Sequence, residues 1–196
     1  MLWKRRDYFD KNLGKKVGIL FSKFSLSPNQ WTTLSLVFAL VLFYFLINGD
    51  FLTATFIFAF TAFVDMIDGA VAKATNKVTK LGGYLDSVID RIIEFIIVLG
   101  LFLNIYPDFF IPIKIWLLFL LFGSFITTYI RAASFEKGLS KNPKGGILEH
   151  TDRLILFFLI ILISNFSLQY AGYLIVIMTV LANVSALQRF LKVVKR

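Results

Sequence analysis

Two segments of the chain carry acidic residues at spacings that suit metal-assisted phosphoryl chemistry. The first reads Val64-Asp65-Met66-Ile67-Asp68-Gly69-Ala70-Val71-Ala72-Lys73, and the second Gly82-Gly83-Tyr84-Leu85-Asp86-Ser87-Val88-Ile89-Asp90-Arg91. Asp65 and Asp68 are three residues apart and Asp86 and Asp90 four, so each pair shares a face on a helix. In an antiparallel hairpin of two such helices, Asp65 pairs with Asp90 and Asp68 with Asp86 about midpoints of 77.5 and 77. At about 1.5 Å rise per residue the partners lie at matching depths. Four carboxylates then converge on one small volume, where they repel one another. Divalent cations relieve that repulsion. Hard oxygen donors favour Mg²⁺, Mn²⁺ or Ca²⁺, and four carboxylates can hold two such ions in a clamp suited to phosphoryl transfer.

Small residues accompany the acids. Gly69 follows Asp68, Ala72 lies one turn on, and Gly82 stands one turn before Asp86. A groove lined by Gly69, Ala72 and Gly82 beside metals admits a flat nucleotide, since a missing side chain lets a ligand approach the backbone. The plainer alternative is that small residues let two helices pack closely.

The elements that must position these groups follow from the distribution of charge. The chain has 196 residues, 58% hydrophobic, with a formal net charge of +9, 23 phenylalanines and no cysteine. Typical soluble chains are about 45–50% apolar. Disorder and a disulfide scaffold are both excluded. No charge occurs from Phe24 to Gly49, Phe51 to Val64, Phe95 to Pro107, Ile115 to Ile130 or Leu154 to Gln188. A span needs roughly 17–25 mostly apolar residues, and Ser164-Asn165-Phe166-Ser167 divides the last stretch with a turn. The pattern predicts six helices, over 29–48, 51–74, 83–106, 109–136, 151–166 and 168–190. The expected fold class is an all-α integral membrane protein. It forms one domain over 1–196, with an amphipathic arm at 1–24 and a six-helix bundle at 29–190.

With this topology, all but Lys114 of the 21 basic residues fall on one side, as the positive-inside rule requires. Both termini and the acidic hairpin are therefore expected at the cytoplasmic face of the cell membrane. Leu2, Phe9, Leu13, Val17, Leu20 and Phe24 recur at steps of mostly three or four with lysines between them, which predicts a helix lying on the membrane surface. The N-terminus lacks the apolar run and small-residue cleavage site of a signal peptide. A basic rim beside apolar spans reads as topology and attraction to anionic lipid. No nucleic-acid partner is expected.

At the acidic hairpin the sequence resembles the CDP-alcohol phosphotransferase (CDP-alcohol phosphatidyltransferase) family, whose pattern is D-x2-D-G-x2-A-R-x8-G-x3-D-x3-D. Asp65, Asp68, Gly69, Ala72, Gly82, Asp86 and Asp90 stand at the required positions, and the spacer from Ala74 to Leu81 has the required length. Lys73 replaces the usual arginine, keeping the charge and losing bidentate geometry. Pro28-Asn29-Gln30-Trp31-Thr32 matches the family's Pro-Asn-x-x-Thr opening of the first span. The resemblance implies six spans with a surface helix, and transfer of a phosphatidyl-type group from a CDP-linked lipid to an alcohol with release of CMP. It implies two divalent cations, Mg²⁺ or Mn²⁺, with Asp65, Asp68, Asp86 and Asp90 as ligands and Asp90 as general base. It assigns Asn29, Thr32, Asp68, Gly69, Ala72, Lys73 and Gly82 to the nucleotide. Family members often form homodimers, so a second copy of the chain is a candidate partner.

The acceptor is read from the second basic loop. Thr128-Tyr129-Ile130-Arg131-Ala132 and Gly145-Gly146-Ile147-Leu148-Glu149-His150-Thr151-Asp152-Arg153 are similar to the branch that uses inositol phosphate. This implies that Arg131 and Arg153 hold the acceptor phosphate by charge-assisted bonds. Two features depart from that branch: His150 stands where an arginine is expected, and Ala133-Ser134-Phe135 lacks a further arginine and glutamate. The leading expectation is myo-inositol 1-phosphate as acceptor; alternatives are glycerol 3-phosphate, serine or a CDP-inositol donor. In a different class stands a divalent-cation transporter, since intramembrane carboxylates also mark ion paths. The acids sit near one face and no broken-helix repeat occurs, which favours the enzyme. Glu149 and Asp152 are expected to cap the fifth helix.

Overall fold

The computed structural model describes residues 14–139 and 146–195. The expected amphipathic helix falls partly outside them. Within them the chain is helical over 14–21, then forms α1 (Pro28–Ile47), α2 (Phe51–Ala74), α3 (Lys80–Phe102), α4 (Ile113–Glu136), α5 (His150–Ser164) and α6 (Leu168–Val194). An isolated bridge between Phe109 and Ile111 is the only β pairing among the described residues. Helices α1, α2, α4 and α6 are long and apolar enough to cross a membrane. Helix α3 carries Lys80, Asp86, Asp90, Arg91 and Glu94, and α5 has 15 residues. At about 1.5 Å per residue α5 is shorter than a typical hydrocarbon core.

Local chemistry explains where the helices depart from the expected bounds. Helix α3 begins three residues early because Thr79 caps it, its hydroxyl accepting the Gly82 amide at 3.0 Å. It stops at Phe102 instead of 106, because Asn104 Nδ2 donates to the carbonyls of Gly100 and Leu46 at 2.7 and 2.9 Å. Helix α4 starts at Ile113 instead of 109, since Phe110 takes a left-handed φ of 58° and Trp116 Nε1 holds the Phe109 carbonyl at 3.0 Å. Helix α6 runs one turn beyond the expected 190, to Val194.

Other ends match the reading. Asp50 accepts the Thr53 amide at the start of α2, and the Thr53 hydroxyl and amide hold its carboxyl below the usual range. Glu149 and Asp152 form a reciprocal capping box on α5, and Ser167 caps α6.

The chain divides into two compact units, each built from discontinuous segments. One comprises the described residues up to 43 together with 56–96, and the other 44–55 together with residues from 97 onward. In the first unit, Trp31, Val64, Ile67 and Val71 form a buried cluster against which Val17, Phe21, Leu34 and Phe38 pack. The 14–21 helix joins that cluster through an edge-on contact of Phe21 with Trp31 at 5.6 Å. Gly18 permits this: a Cβ there would lie 2.3 Å from the Ala70 carbonyl oxygen.

In the second unit, α4 and α6 are tied by side-chain donors on α6. Thr179 Oγ1 bonds the Trp116 carbonyl at 3.1 Å, Asn183 Nδ2 that of Phe119 at 3.0 Å, and Arg189 Nη1 that of Thr127 at 3.1 Å. Both numbers rise together along this series, so α4 and α6 run parallel.

Candidate active site

Helices α2 and α3 are joined by five residues whose geometry is specific. Asn76 adopts a left-handed φ of 54°. The Lys77 amide bonds the Ala72 carbonyl at 2.9 Å and the Asn76 amide that of Lys73 at 3.4 Å. These two bonds form a Schellman motif, with asparagine at the position that requires positive φ. Val78 and Thr79 follow, and α3 returns antiparallel to α2.

That return brings the acids together. Carboxylate oxygens of Asp65, Asp68 and Asp86 all lie within 4.8 Å of one another. Asp68 is 7% exposed, and its Oδ2 accepts the Thr32 hydroxyl at 2.5 Å, which orients the carboxylate from α1. Asp65 Oδ1 is buried with no hydrogen-bond donor against it. A buried, orphaned carboxylate oxygen costs a large desolvation penalty. Here it borders two other carboxylates, so the donor set fits a hard divalent cation. Asp90 lies one turn along α3 from Asp86 and outside that set of three. Its Oδ2 stands 3.8 Å from Arg91 Nη2.

Beside the acids is a pocket of about 150 Å³. Asn29, Thr32, Asp68, Gly69, Ala72, Lys73 and Gly82 all line it, as do Asp86 and the turn residues Lys77, Val78 and Thr79. Every position assigned to the nucleotide from the sequence thus falls on one cavity, whereas Asp65 and Asp90 are not among its lining residues. Gly82 sits where a Cβ would meet Thr79 Oγ1 at 3.1 Å and Asn29 Oδ1 at 3.2 Å. At Gly69 a Cβ would meet nothing within 4 Å, so its lack of a side chain enlarges the pocket and relieves no contact. Sequence reasoning overlooked Lys77, Val78 and Thr79. Thr79, a favoured N-cap type just ahead of a helix, carried the readable signal.

Arg131 and Arg153 belong to the second unit. Arg153, in the first turn of α5, is 3% exposed, whereas Arg131 is exposed near the end of α4. Arg189 adds a third guanidinium, which the sequence reading counts only among the basic residues of one side. It is 8% exposed and within electrostatic reach of Arg131 and Glu149. The segment leading to α5 is fixed to α6, since the Leu148 amide donates to Ser185 Oγ at 2.7 Å.

Among the described residues, apolar helices, three clustered aspartates and a glycine-lined pocket fit a metal-dependent membrane protein. The profile of the CDP-alcohol phosphatidyltransferase family matches residues 25–185, and the chain belongs to that family. It is similar to the archaetidylinositol phosphate synthase of Pyrococcus horikoshii, 32% identical over 93% of this chain and 91% of that one. Two crystal structures of Mycobacterium tuberculosis phosphatidylinositol phosphate synthase (PgsA1) share the fold. One has CDP-DAG bound, with a TM-score of 0.80 and 24% identity over 92% of each chain. The other, in complex with manganese and citrate, has a TM-score of 0.76 and 26% identity over 92% of this chain and 88% of that one. Family membership makes the protein an integral membrane enzyme of phospholipid biosynthesis that depends on a divalent cation. It decides for transferase chemistry over the transporter alternative.

Proposed function

We propose that the enzyme transfers a phosphatidyl-type group from a CDP-linked lipid to the hydroxyl of an inositol phosphate, most simply myo-inositol 1-phosphate, releasing CMP. The observation that carries this reading is the single pocket holding all seven nucleotide-assigned residues beside Asp65, Asp68 and Asp86. The likeness to archaetidylinositol phosphate synthases supports the acceptor.

Asn29, Gly69, Ala72 and Gly82 receive the cytidine, and Lys73 with Lys77 draws in the diphosphate. Thr32 holds Asp68 in its orientation. Asp65, Asp68, Asp86 and Asp90 hold two divalent cations, Mg²⁺ or Mn²⁺, which when bound would neutralise the diphosphate and stabilise charge developing on the transferred phosphoryl group. Asp90 takes the proton from the acceptor hydroxyl as that oxygen bonds to the phosphorus nearer the lipid. The bond from that phosphorus to the bridging oxygen breaks, and CMP carries the electron pair away. Arg131 and Arg153, with Arg189, hold the acceptor's phosphate monoester; a guanidinium offers it two parallel donors.

All six helices cross the membrane in this reading, α3 and α5 beside longer spans, with 14–21 part of a helix on the membrane surface. The one-sided distribution of the basic residues supports termini and acids on the cytoplasmic side. The test is CMP release by purified protein from CDP-archaeol or CDP-diacylglycerol with Mg²⁺ or Mn²⁺. Inositol 1-phosphate, glycerol 3-phosphate, serine and inositol are offered in turn. Release with inositol 1-phosphate alone is expected. Release with glycerol 3-phosphate or serine instead transfers the assignment to that acceptor, and no release with any pair refutes the reading.

A further inference from the structure

At one end of the second unit, two connections carry the three most exposed large apolar side chains among the described residues. Phe110 is 93% exposed, Ile105 86% and Phe166 78%. Residues 103–112 join α3 to α4, and 165–167 join α5 to α6. The two connections are tied together. The hydroxyls of Tyr106 and Ser164 share a hydrogen bond of 3.1 Å, and the Phe109 ring meets that of Tyr173 edge-on at 5.5 Å. The three apolar tips are therefore parts of one patch.

Phe110 adopts a left-handed φ of 58°, which is unfavourable for a bulky side chain. Its ring touches Phe109 at 4.7 Å and is otherwise uncovered, so the chain itself recovers little from that conformation. An apolar phase outside the protein would.

Three features match that phase to the boundary layer of a bilayer. Helix α5 has 15 residues, about 22 Å at 1.5 Å per residue, against about 30 Å of hydrocarbon. A helix that stops short leaves the connection after it at membrane depth. The patch is also continuous with an exposed apolar stripe along α4, formed by Ile115, Leu118, Phe119 and Phe122. Lastly, the longer connection satisfies its own backbone. Phe109 and Ile111 exchange amide-to-carbonyl bonds at 3.3 and 2.7 Å, and Trp116 Nε1 donates to the Phe109 carbonyl. Irregular backbone needs such partners within the protein where water is scarce. Exposed Asp108 and Lys114 limit the depth to the headgroup level, where charges are tolerated and tyrosines such as Tyr170 and Tyr173 are favoured.

We propose that residues 103–112 and 165–167 form an interfacial anchor, with Ile105, Phe110 and Phe166 seated among the headgroups and first acyl carbons of the leaflet at that end. The anchor compensates for the short α5 and fixes how deep the far end of that helix, with Arg153, lies. This rests on α5 crossing the membrane in the proposed topology.

The chain has no cysteine, so Ile105→Cys, Phe110→Cys and Phe166→Cys each give a single site for a bimane label. The whole chain is reconstituted in vesicles of phosphatidylcholine and phosphatidylglycerol. A lipid spin-labelled near the top of its acyl chain is one quencher and iodide the other. Phe119→Cys on the α4 stripe and Lys195→Cys, exposed after α6, are the lipid and water references. Iodide quenching at the three positions is expected to be at least about threefold weaker than at Lys195→Cys, and lipid quenching within about twofold of Phe119→Cys. Strong iodide quenching without lipid quenching at the three positions, with Phe119→Cys quenched by lipid, overturns the anchor and leaves the spans standing. Protection from both quenchers assigns the patch to a second copy of the chain and also overturns it. Where Phe119→Cys itself escapes the lipid quencher, the proposed topology fails and the anchor with it. Where Phe110→Cys does not accumulate, Ile105→Cys and Phe166→Cys decide.

Discussion

Thr32 on α1 donates its hydroxyl to Asp68 on α2 at 2.5 Å, across 36 positions of sequence. The bond links the Pro-Asn-x-x-Thr opening of the first helix to the acidic motif of the second, and it fixes which Asp68 oxygen remains for other partners. Hydrogen bonds to a charged group contribute about 1.5–3 kcal/mol. Thr32→Val keeps the shape and removes the donor. Roughly a tenfold loss in apparent Mn²⁺ affinity is expected, read from the metal dependence of CMP release, with membrane insertion unchanged.

Removing a carboxylate from the cluster has a larger effect. Asp65→Asn, Asp68→Asn and Asp86→Asn each delete one anionic ligand from a site whose oxygens lie within 4.8 Å. Mn²⁺ titration by electron paramagnetic resonance on purified variants is expected to show at least about tenfold weaker binding than wild type. A chelator is expected to abolish CMP release, and added Mg²⁺ or Mn²⁺ to restore it.

The glycines separate pocket from packing. Gly69→Ala adds a methyl that meets nothing within 4 Å, so thermal stability is expected to hold while the KM for CDP-lipid rises. At Gly18 a Cβ would fall 2.3 Å from the Ala70 carbonyl oxygen and 2.8 Å from Ala74 Cβ. Overpacking of this kind costs about 1–3 kcal/mol. Gly18→Ala is therefore expected to lower the unfolding temperature in detergent and to leave the 14–21 helix open to protease.

Arginine substitutions test the acceptor end. Arg153→Gln and Arg189→Gln remove buried guanidinium groups. Each is expected to raise the KM for inositol 1-phosphate by about tenfold or more, while the KM for CDP-lipid stays within about twofold. Equal effects on both substrates would contradict an acceptor-specific role.

Much of this arrangement is legible in the sequence because two acidic pairs stand at helical spacing, three and four residues apart. Asp65 and Asp68, then Asp86 and Asp90, mark two helical faces, and midpoints half a residue apart set their register. The structure turns between them at Asn76 and Thr79, positions that a fixed-length spacer counts without describing. Asn76 is one of the uncharacterised spacer positions, yet its left-handed φ closes the Schellman motif, after which Lys77 and Thr79 line the pocket. Arg189 is hidden for another reason: it follows a 35-residue uncharged stretch and is the first of four basic residues at the end of the sequence. Its burial and its bond to the Thr127 carbonyl show that it faces inward. The bounds of α3 and α4 differ from expectation where the Asn104 side chain bonds carbonyls at the end of one and the left-handed φ of Phe110 precedes the other, neither of which hydropathy reports.

The three bonds from Thr179, Asn183 and Arg189 to carbonyls of α4 behave as teeth on a single key. All the donors sit on α6, so turning that helix by one residue, about 100°, disengages every tooth together. An added residue ahead of Thr179 displaces only the N-terminal end and leaves the key seated. One added between Asn183 and Arg189 splits it, and the arginine then loses its seat even though every original side chain is still present.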